Sequence, residues 1–273
     1  MIKVASVGLG WWSDELAKSV QGKSKKIKII SCYSRSLKKR INFSKKFKTH
    51  YHNSYESLIK DPNIDAIILT SPHSLHKKHT MKALQNGKHV FVEKPMATKF
   101  LDAKKMFVCA KKNKKTLAVG HNRRFSSVFD FIHNLNNQKK IGKILHIEAN
   151  FSAPGALAYK KNFWRANRNE SPGGAIAGLG IHMIDLMCQF GGKVKSIQSL
   201  VKKYAVKVNI DDTTSALFEF NNKCTGNLTT IFACPYTSKF NILGTYMNIF
   251  SEVDNNKIKI IHKNGSIKKL NLS

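Results

Sequence analysis

Two short patterns in this sequence have the residue types and spacing for redox and acid/base chemistry. The first is Gly8-Leu9-Gly10-Trp11-Trp12-Ser13, directly after the apolar run Ile2 to Val7 and at the start of an amphipathic stretch. There the first glycine permits a tight turn, and the second lets backbone approach a pyrophosphate, whose charge suits the N–H groups and dipole of a helix N-terminus. Ser13 stands where a third glycine serves close helix-to-strand packing, so a looser contact is expected. Trp11 and Trp12 either cover a bound cofactor or pack beneath the loop. The second pattern is Glu93-Lys94-Pro95, at the end of the run His89 to Val92. Oxidation of a secondary alcohol needs a base for the hydroxyl proton. Lys94 is either a surface turn lysine or, if burial lowers it from its ordinary pKa of ~10.4 toward neutrality, a group able to act as that base.

A third candidate is the pair His182 and Asp185, three residues apart in an apolar helical stretch and so on neighbouring parts of one face. A neutral imidazole there hydrogen-bonds a substrate hydroxyl or relays its proton, with Asp185 orienting the ring or binding substrate. A satisfied core histidine is the plainer alternative.

The cofactor type is read at the end of the second predicted strand. An NAD site places Asp or Glu roughly 20 residues beyond the glycine turn, to bind the ribose diol. Between Glu15 and Glu56 there is no carboxylate, and the strand ends in Ser34-Arg35-Ser36, followed by Lys38, Lys39 and Arg40. A hydroxyl beside a guanidinium suits a 2′-phosphate, so NADP(H) is the expected cofactor, with NAD(H) possible.

These residues need a scaffold, and residues 2 to 120 supply its pattern: a short β-branched run, a turn, then a stretch of helical length. Strands are predicted at 2–7, 27–33, 65–70, 88–92 and 116–119, and helices at about 12–21, 36–47, 74–86 and 98–113. That alternation predicts a doubly wound parallel sheet covered on both faces. Beyond Gly120 the rhythm changes. A helix at 125–137, a strand at 143–151, an irregular segment to Pro172 and a helix from about Gly174 to Phe190 precede strands at 195–206, 213–220, 223–232, 240–251 and 257–271. Short turns such as Asn221-Asn222 and Asn264-Gly265 make this second sheet mostly antiparallel. The expected fold class is α/β, with a Rossmann domain over 1–120 and a substrate-binding and oligomerisation domain over 121–273.

Composition excludes other classes. Among 273 residues, 42% are hydrophobic, enough for a core and too many for a disordered chain. The 47 Lys plus Arg against 16 Asp plus Glu give a net charge of +31, the usual footprint of a nucleic-acid binder. Only six of these basic residues are Arg, and the lysines are dispersed along the chain, which gives sequence-independent attraction alone. No specific nucleic-acid partner is expected. No run approaches the roughly 18 apolar residues of a membrane span, and Met1 runs straight into a strand, so a cytoplasmic protein without a membrane partner is expected. The five cysteines lack metal-ligand spacing and read as reduced core thiols, and no metal is expected.

Read together, the glycine turn, Ser71-Pro72-His73-Ser74-Leu75-His76, Glu93-Lys94-Pro95, Gly120-His121-Asn122-Arg123-Arg124-Phe125, Phe163-Trp164-Arg165 and Gly173-Gly174 leading to Gly180-Ile181-His182 resemble the glucose-fructose oxidoreductase and inositol dehydrogenase family, Gfo/Idh/MocA, from residue 1 to about 250. The resemblance implies a hydride transfer between a nicotinamide and a sugar, cyclitol or related polyol. It implies Lys94 and His182 as catalytic residues. Cofactor contacts are implied at Gly8, Leu9, Gly10, Trp11, Trp12, Ser34, Arg35, Ser71, Pro72, His73, His76, Glu93, Lys94, Arg124, Trp164 and Arg165, and substrate contacts at Lys94, Asn122, His182 and Asp185. An open sheet supporting a homodimer or homotetramer also follows from it. Arg124 has helix capping as its plainer role, and Trp164 has packing.

Two departures are visible. Many members carry an aspartate four residues before the histidine, where this chain has Gly178. Either Lys94 and His182 work alone, or the chemistry differs, or catalysis is lost. The last outcome defines the alternative function, a non-catalytic dinucleotide-binding sensor on the same fold. The chain also looks short at its C-terminus, so that either the fold closes without the family's usual terminal segment or part of the core is uncovered, which would favour oligomerisation.

Overall fold

The computed structural model describes residues 1–272 and divides into two compact units, Met1–Gly120 and His121–Ser273. In the first, the apolar runs become β1 (Ile2–Val7), β2 (Ile27–Tyr33), β3 (His50–Tyr51), β4 (Ala66–Leu69), β5 (His89–Glu93) and β6 (Leu117–Gly120). They form one parallel sheet in the order β3-β2-β1-β4-β5-β6. This is the doubly wound order whose reversal between β1 and β4 opens a ligand crevice at the carboxyl ends of the strands. Helices α1 (Trp11–Val20), α2 (Leu37–Phe47), α3 (Tyr55–Lys60), α4 (His73–Gln85) and α5 (Phe100–Lys112) connect them. One face of the sheet packs Val4, Ile29 and Cys32 against Ala17, Phe43 and Phe47, and the other packs Val7, Ile67, Leu69 and Val92 against Leu58, Leu84 and Met106.

Helix starts follow local chemistry. The Ser36 side chain accepts from the Lys39 N–H at the start of α2, and Ser54 and Ser57 form a reciprocal capping box on α3. This short helix and β3 were not anticipated, because six and two residues are too few to carry a readable period.

The second unit contains α6 (Ser127–Asn137), β7 (Ile144–Ser152), α7 (Ile181–Gly191) and β8 (Val194–Lys202), then β9 (Thr213–Phe220), β10 (Thr225–Ile231), β11 (Thr237–Gly244), β12 (Met247–Glu252), β13 (Lys257–His262) and β14 (Ile267–Asn271). The sheet order is β14-β13-β12-β11-β7-β10-β9-β8, antiparallel except for the β7–β10 pair. Its core joins Phe129, Ile132, Met183, Leu186 and Phe190 to Ile147, Phe218, Phe240 and Ile249. The strand predicted over 240–251 is two strands, since Ile242 pairs with Ile249 across a turn at Thr245-Tyr246 that lacks the usual Asn-Gly signal. The predicted helix from Gly174 begins instead with a π-helical turn, Ile176–Gly180, before α7.

No helix among the described residues is long and apolar enough to cross a membrane. All five cysteines carry free thiols.

Between β8 and β9 the chain is held by Asp212, which is completely buried. One carboxylate oxygen accepts the N–H groups of Tyr204, Ala205 and Val206 at 3.0, 2.6 and 2.9 Å, and the other accepts the Thr213 hydroxyl at 3.0 Å. Burial pushes this carboxyl up, but the hydrogen bonds together outweigh burial and leave it below its ordinary value of 3.8. Its stabilisation is therefore complete above that value and is lost as pH falls through the lower folded-state value. Asp212→Asn is expected to cost about 1–3 kcal/mol at neutral pH, through weaker acceptance of three N–H groups. The gap between thermal melts of the two proteins should begin to narrow as pH falls below 3.8 and close only below the lowered folded-state value; an equal gap at pH 7 and pH 3 would contradict this role.

Candidate active site

In the first unit the site is built at the β1–β4 switch point. Gly8 has φ +94°, and a Cβ there would overlap the Ser71 backbone, so the loops after β1 and β4 touch because residue 8 has no side chain. Thr70 strengthens this contact by donating its hydroxyl to the Gly8 carbonyl at 2.6 Å. At Gly10 the reverse holds, since apart from its own chain neighbours no atom of the described residues lies within 4 Å of where a Cβ would be. The N-terminus of α1 has no side-chain cap, and the indole N–H of Trp12 is buried without a hydrogen-bond partner. Open space, uncapped helix N–H groups and a free donor fit a dinucleotide pyrophosphate. Leu9 is buried beneath the turn, while Trp11 lies 73% exposed with its ring 5.4 Å from that of Trp12.

Ser13 corrects the expectation of a looser contact. It is 1% exposed, and its hydroxyl shares a 2.9 Å hydrogen bond with that of Ser6 on β1, so α1 is tied to the strand by polarity where a glycine would allow close approach.

At the end of β2, the Ser34 hydroxyl accepts the Ser36 N–H at 3.2 Å. Arg40 turns away, donating to the His52 carbonyl and to Asn53. Arg35 is exposed and has no hydrogen-bond or ion-pair partner among the described residues. Of the two arginines there, Arg35 is the one whose side chain has no such partner among the described residues.

Lys94 follows β5 at the same carboxyl edge of the sheet. Its N–H meets Glu93 Oε2 at 3.2 Å, the Lys94–Pro95 peptide is cis, and Glu93 lies buried across Gly120 of β6. The turn is braced from α4. His76, fully buried, sets Nδ1 2.9 Å from the Pro95 carbonyl oxygen and Nε2 2.8 Å from that of Ser71. This corrects the expected cofactor contact at His76: the ring has no open face and acts through the two backbone segments it joins. His73 is also buried, its ring 5.6 Å from that of His76, and Pro72 precedes α4. Beneath Ser71, His79 is pushed down to about 4 by burial and by His76 and Lys78, so it stays neutral at working pH.

In the second unit, His182 is buried on α7, its ring 6.1 Å from those of Phe151 and His121. Asp185 was expected to orient His182 or to bind substrate. In the structure both its oxygens accept from Arg124, through Nε at 2.6 Å and through Nη2, and His121 Nδ1 lies 3.7 Å from it. Arg124 is thus committed to an ion pair. Its neighbour Arg123 pairs with Asp254 at 2.9 Å and covers the Phe151 ring at 3.9 Å. Asn122 is exposed beside them. Trp164 and Arg165 are half-buried and stack on each other at 4.7 Å.

Two residues were missed. His121 lies inside a quoted motif, but its pairing with Asp185 spans 64 positions and leaves no local signal. Phe232 fills the space that a Cβ at position 178 would occupy, within a buried cluster with Ala166, Ala175, Val206 and Ile210. Gly178 is therefore a packing requirement of this chain as well as a departure from a motif. Gly178→Ala, which in an ordinary helix would stabilise, is expected to destabilise by about 1–3 kcal/mol through overpacking. Adding Phe232→Leu should recover part of the loss in thermal melts; a more stable single variant would contradict the contact.

Two models of one oxidoreductase family match consecutive stretches of the chain: "Oxidoreductase family, NAD-binding Rossmann fold" over residues 2–121, and "GFO/IDH/MocA C-terminal domain" over 129–249. Trans-1,2-dihydrobenzene-1,2-diol dehydrogenase of Xenopus laevis is 28% identical over 223 residues, covering 80% of this chain and 64% of that protein. Glucose-6-phosphate 3-dehydrogenase of Bacillus subtilis (strain 168) is 31% identical over 195 residues, covering 67% and 55%. The chain thus spans less than two thirds of the length of these relatives. A proposed NADPH-dependent oxidoreductase from Desulfitobacterium hafniense DCB-2 superposes with TM-score 0.92 at 27% identity, over all of this chain and 82% of that one. Levoglucosan dehydrogenase, solved with NADH and levoglucosan, shares the fold at TM-score 0.91 and 17% identity, over 100% of this chain and 80% of that one.

Proposed function

The chain belongs to the Gfo/Idh/MocA family of oxidoreductases, and on this basis we propose that it is an NADP(H)-preferring enzyme that moves a hydride between the nicotinamide and a sugar, cyclitol or related polyol. The observation that carries this reading is the placement of Lys94, at the carboxyl edge of the parallel sheet that also bears the open glycine turn, on a backbone braced by Glu93 and His76. When bound, a nicotinamide supplies the hydride acceptor or donor.

The chain's own residues handle the proton. As the substrate C–H electron pair leaves with its hydrogen, the hydroxyl proton passes to Lys94 Nζ, and the carbon–oxygen bond becomes a carbonyl. In reduction Lys94 returns it. In the second unit, His182 is the proposed acid/base group for a substrate hydroxyl, with Asn122 as a further substrate contact. Ser34 and Arg35 hold the 2′-phosphate. The relatives' names support the substrate class, since they act on a cyclic diol and a sugar phosphate.

A second reading, a dinucleotide-binding sensor, is favoured by Phe232 filling the space at position 178. It predicts cofactor binding without turnover. A homodimer or homotetramer and a cytoplasmic, thiol-reducing location belong to the proposal as well. The apolar side chains left exposed on adjacent strands, Leu200 and Leu217, suit burial against a second copy, which light scattering would report.

Lys94→Ala is expected to lower kcat by about 10²- to 10⁴-fold while NADPH affinity stays within a few fold, because the removed group acts on the transferring proton. Unchanged turnover would exclude Lys94 as the proton carrier. Arg35→Asp should weaken NADPH binding by roughly 10- to 100-fold, the loss of a charge-assisted contact, and leave NADH nearly unaffected. Equal effects on both nucleotides in a fluorescence titration would refute the 2′-phosphate assignment.

A further inference from the structure

We propose that the outward face of α5 attaches this protein to an anionic lipid surface. Phe100 is 79% exposed, Leu101 66%, Phe107 53% and Val108 55%, while Met106, Cys109 and Ala110 on the opposite side of the helix belong to the core of the first unit. At 3.6 residues per turn, positions 100, 104, 107 and 111 fall on one stripe, and 101, 105, 108 and 112 on the next. The other members of these stripes are Lys104, Lys105, Lys111 and Lys112, all exposed. The one carboxylate in α5, Asp102, is bound by Lys77 of α4 at 2.6 Å. The exposed residues of α5 are thus apolar side chains and lysines alone, whereas an ordinary surface helix turns charged and polar groups to water.

Large apolar side chains gathered on one helix face mark a contact surface, and charge decides what covers it. A second copy of the chain brings 47 basic residues against 16 acidic ones, and so offers these lysines mostly like charge. A nucleic acid has phosphates for the lysines but leaves the aliphatic Leu101 and Val108 without a matching surface. An anionic bilayer supplies both. Its acyl boundary receives the Phe, Leu and Val side chains, and its headgroups pair with ammonium groups carried on flexible stems. Lys111 already has this arrangement, its Nζ 4.8 Å from the centre of the Phe107 ring, and Lys99 and Lys114 extend the positive charge past either end of the helix. The lack, among the described residues, of a helix able to span a bilayer underlay the expectation of no membrane partner; it does not bear on attachment at the surface, which needs one face and not a span.

The test is co-sedimentation of the full chain with vesicles of phosphatidylcholine alone, and of phosphatidylcholine with about 30% phosphatidylserine, at about 0.15 M salt. The wild type is expected to bind the anionic vesicles at least about tenfold more tightly than the neutral ones. With a net charge of +31 every face attracts anions, so the deciding variant keeps the charge unchanged. Phe100→Gln with Phe107→Gln should weaken binding by about 10- to 100-fold, while Leu200→Gln with Leu217→Gln, exposed apolar positions of the second unit, should leave it near the wild type. Lys104→Gln with Lys111→Gln should weaken it by about fivefold per lysine, and by more than Lys257→Gln with Lys259→Gln, an equal change of charge on β13. Should the phenylalanine variant fail to melt cooperatively, Leu101→Gln with Val108→Gln carries the same expectation. Absence of wild-type binding overturns the proposal. So does binding that the apolar substitutions leave unchanged or that both lysine pairs reduce equally, since general attraction to a cationic protein then accounts for it. If the phenylalanine variant instead loses self-association in light scattering and keeps its vesicle binding, the face belongs to a second copy and the lipid assignment falls.

Discussion

The first unit depends on one close approach. The loops leaving β1 and β4 touch at Gly8 and Ser71, a contact that allows neither a side chain at residue 8 nor a negative φ there. Because they touch, α1 can start at Gly10 with its N–H groups facing open space, and Ser71 can offer its carbonyl to His76. His76 carries the same constraint onward to Pro95, so the position of the Lys94 turn is set by the seam between β1 and β4 through one buried imidazole. The glycine turn proposed to hold the phosphates and the lysine proposed to carry the proton, 86 residues apart in the chain, are thus held by a single rigid junction. Buried polar groups of this kind hold geometry because leaving either partner unmade is costly.

The second unit is organised around charge and packing. Arg123 and Arg124, adjacent in sequence, run to different carboxylates, Asp254 and Asp185, and anchor the segment after β6 to the end of β12 and to α7. At the π-helical turn, Phe232 fills the volume that a side chain at 178 would claim, and it shares a buried cluster with Val206 of the segment secured by Asp212. The absence of a side chain at that position is therefore built into the core, and placing one there would require repacking the cluster around it.

Much of this was legible in the residues. Alternating β-branched runs and amphipathic stretches marked the parallel sheet, since strands buried on both faces read as continuous apolar runs. Glycine spacing marked the turn, and the carboxylate-free stretch after β2 marked the cofactor preference now proposed. What escaped was of two kinds. Elements too short for a period, α3 and β3, leave no pattern to detect. Pairings over long separations leave no local trace: Asp185 looked like a partner for His182 three residues away, yet the fold delivers Arg124 and His121 to it, and Gly178 looked like a loss until Phe232, 54 residues on, appeared in its place. Ser13 shows the same limit at short range, because its hydroxyl is useful only where Ser6 lies opposite.

The central claim is that the glycine turn and the Lys94 edge together make a nicotinamide-dependent redox centre. The most direct measurement is a fluorescence titration of the purified protein with NADPH and NADH, followed in the same cuvette by sugars and inositols while absorbance at the reduced nicotinamide band is recorded. The account predicts saturable binding, tighter for NADPH, with loss of the reduced band when the ketone of one of these polyols is added to NADPH, or its appearance when the polyol is added with NADP⁺. Absence of binding by either nucleotide would contradict it.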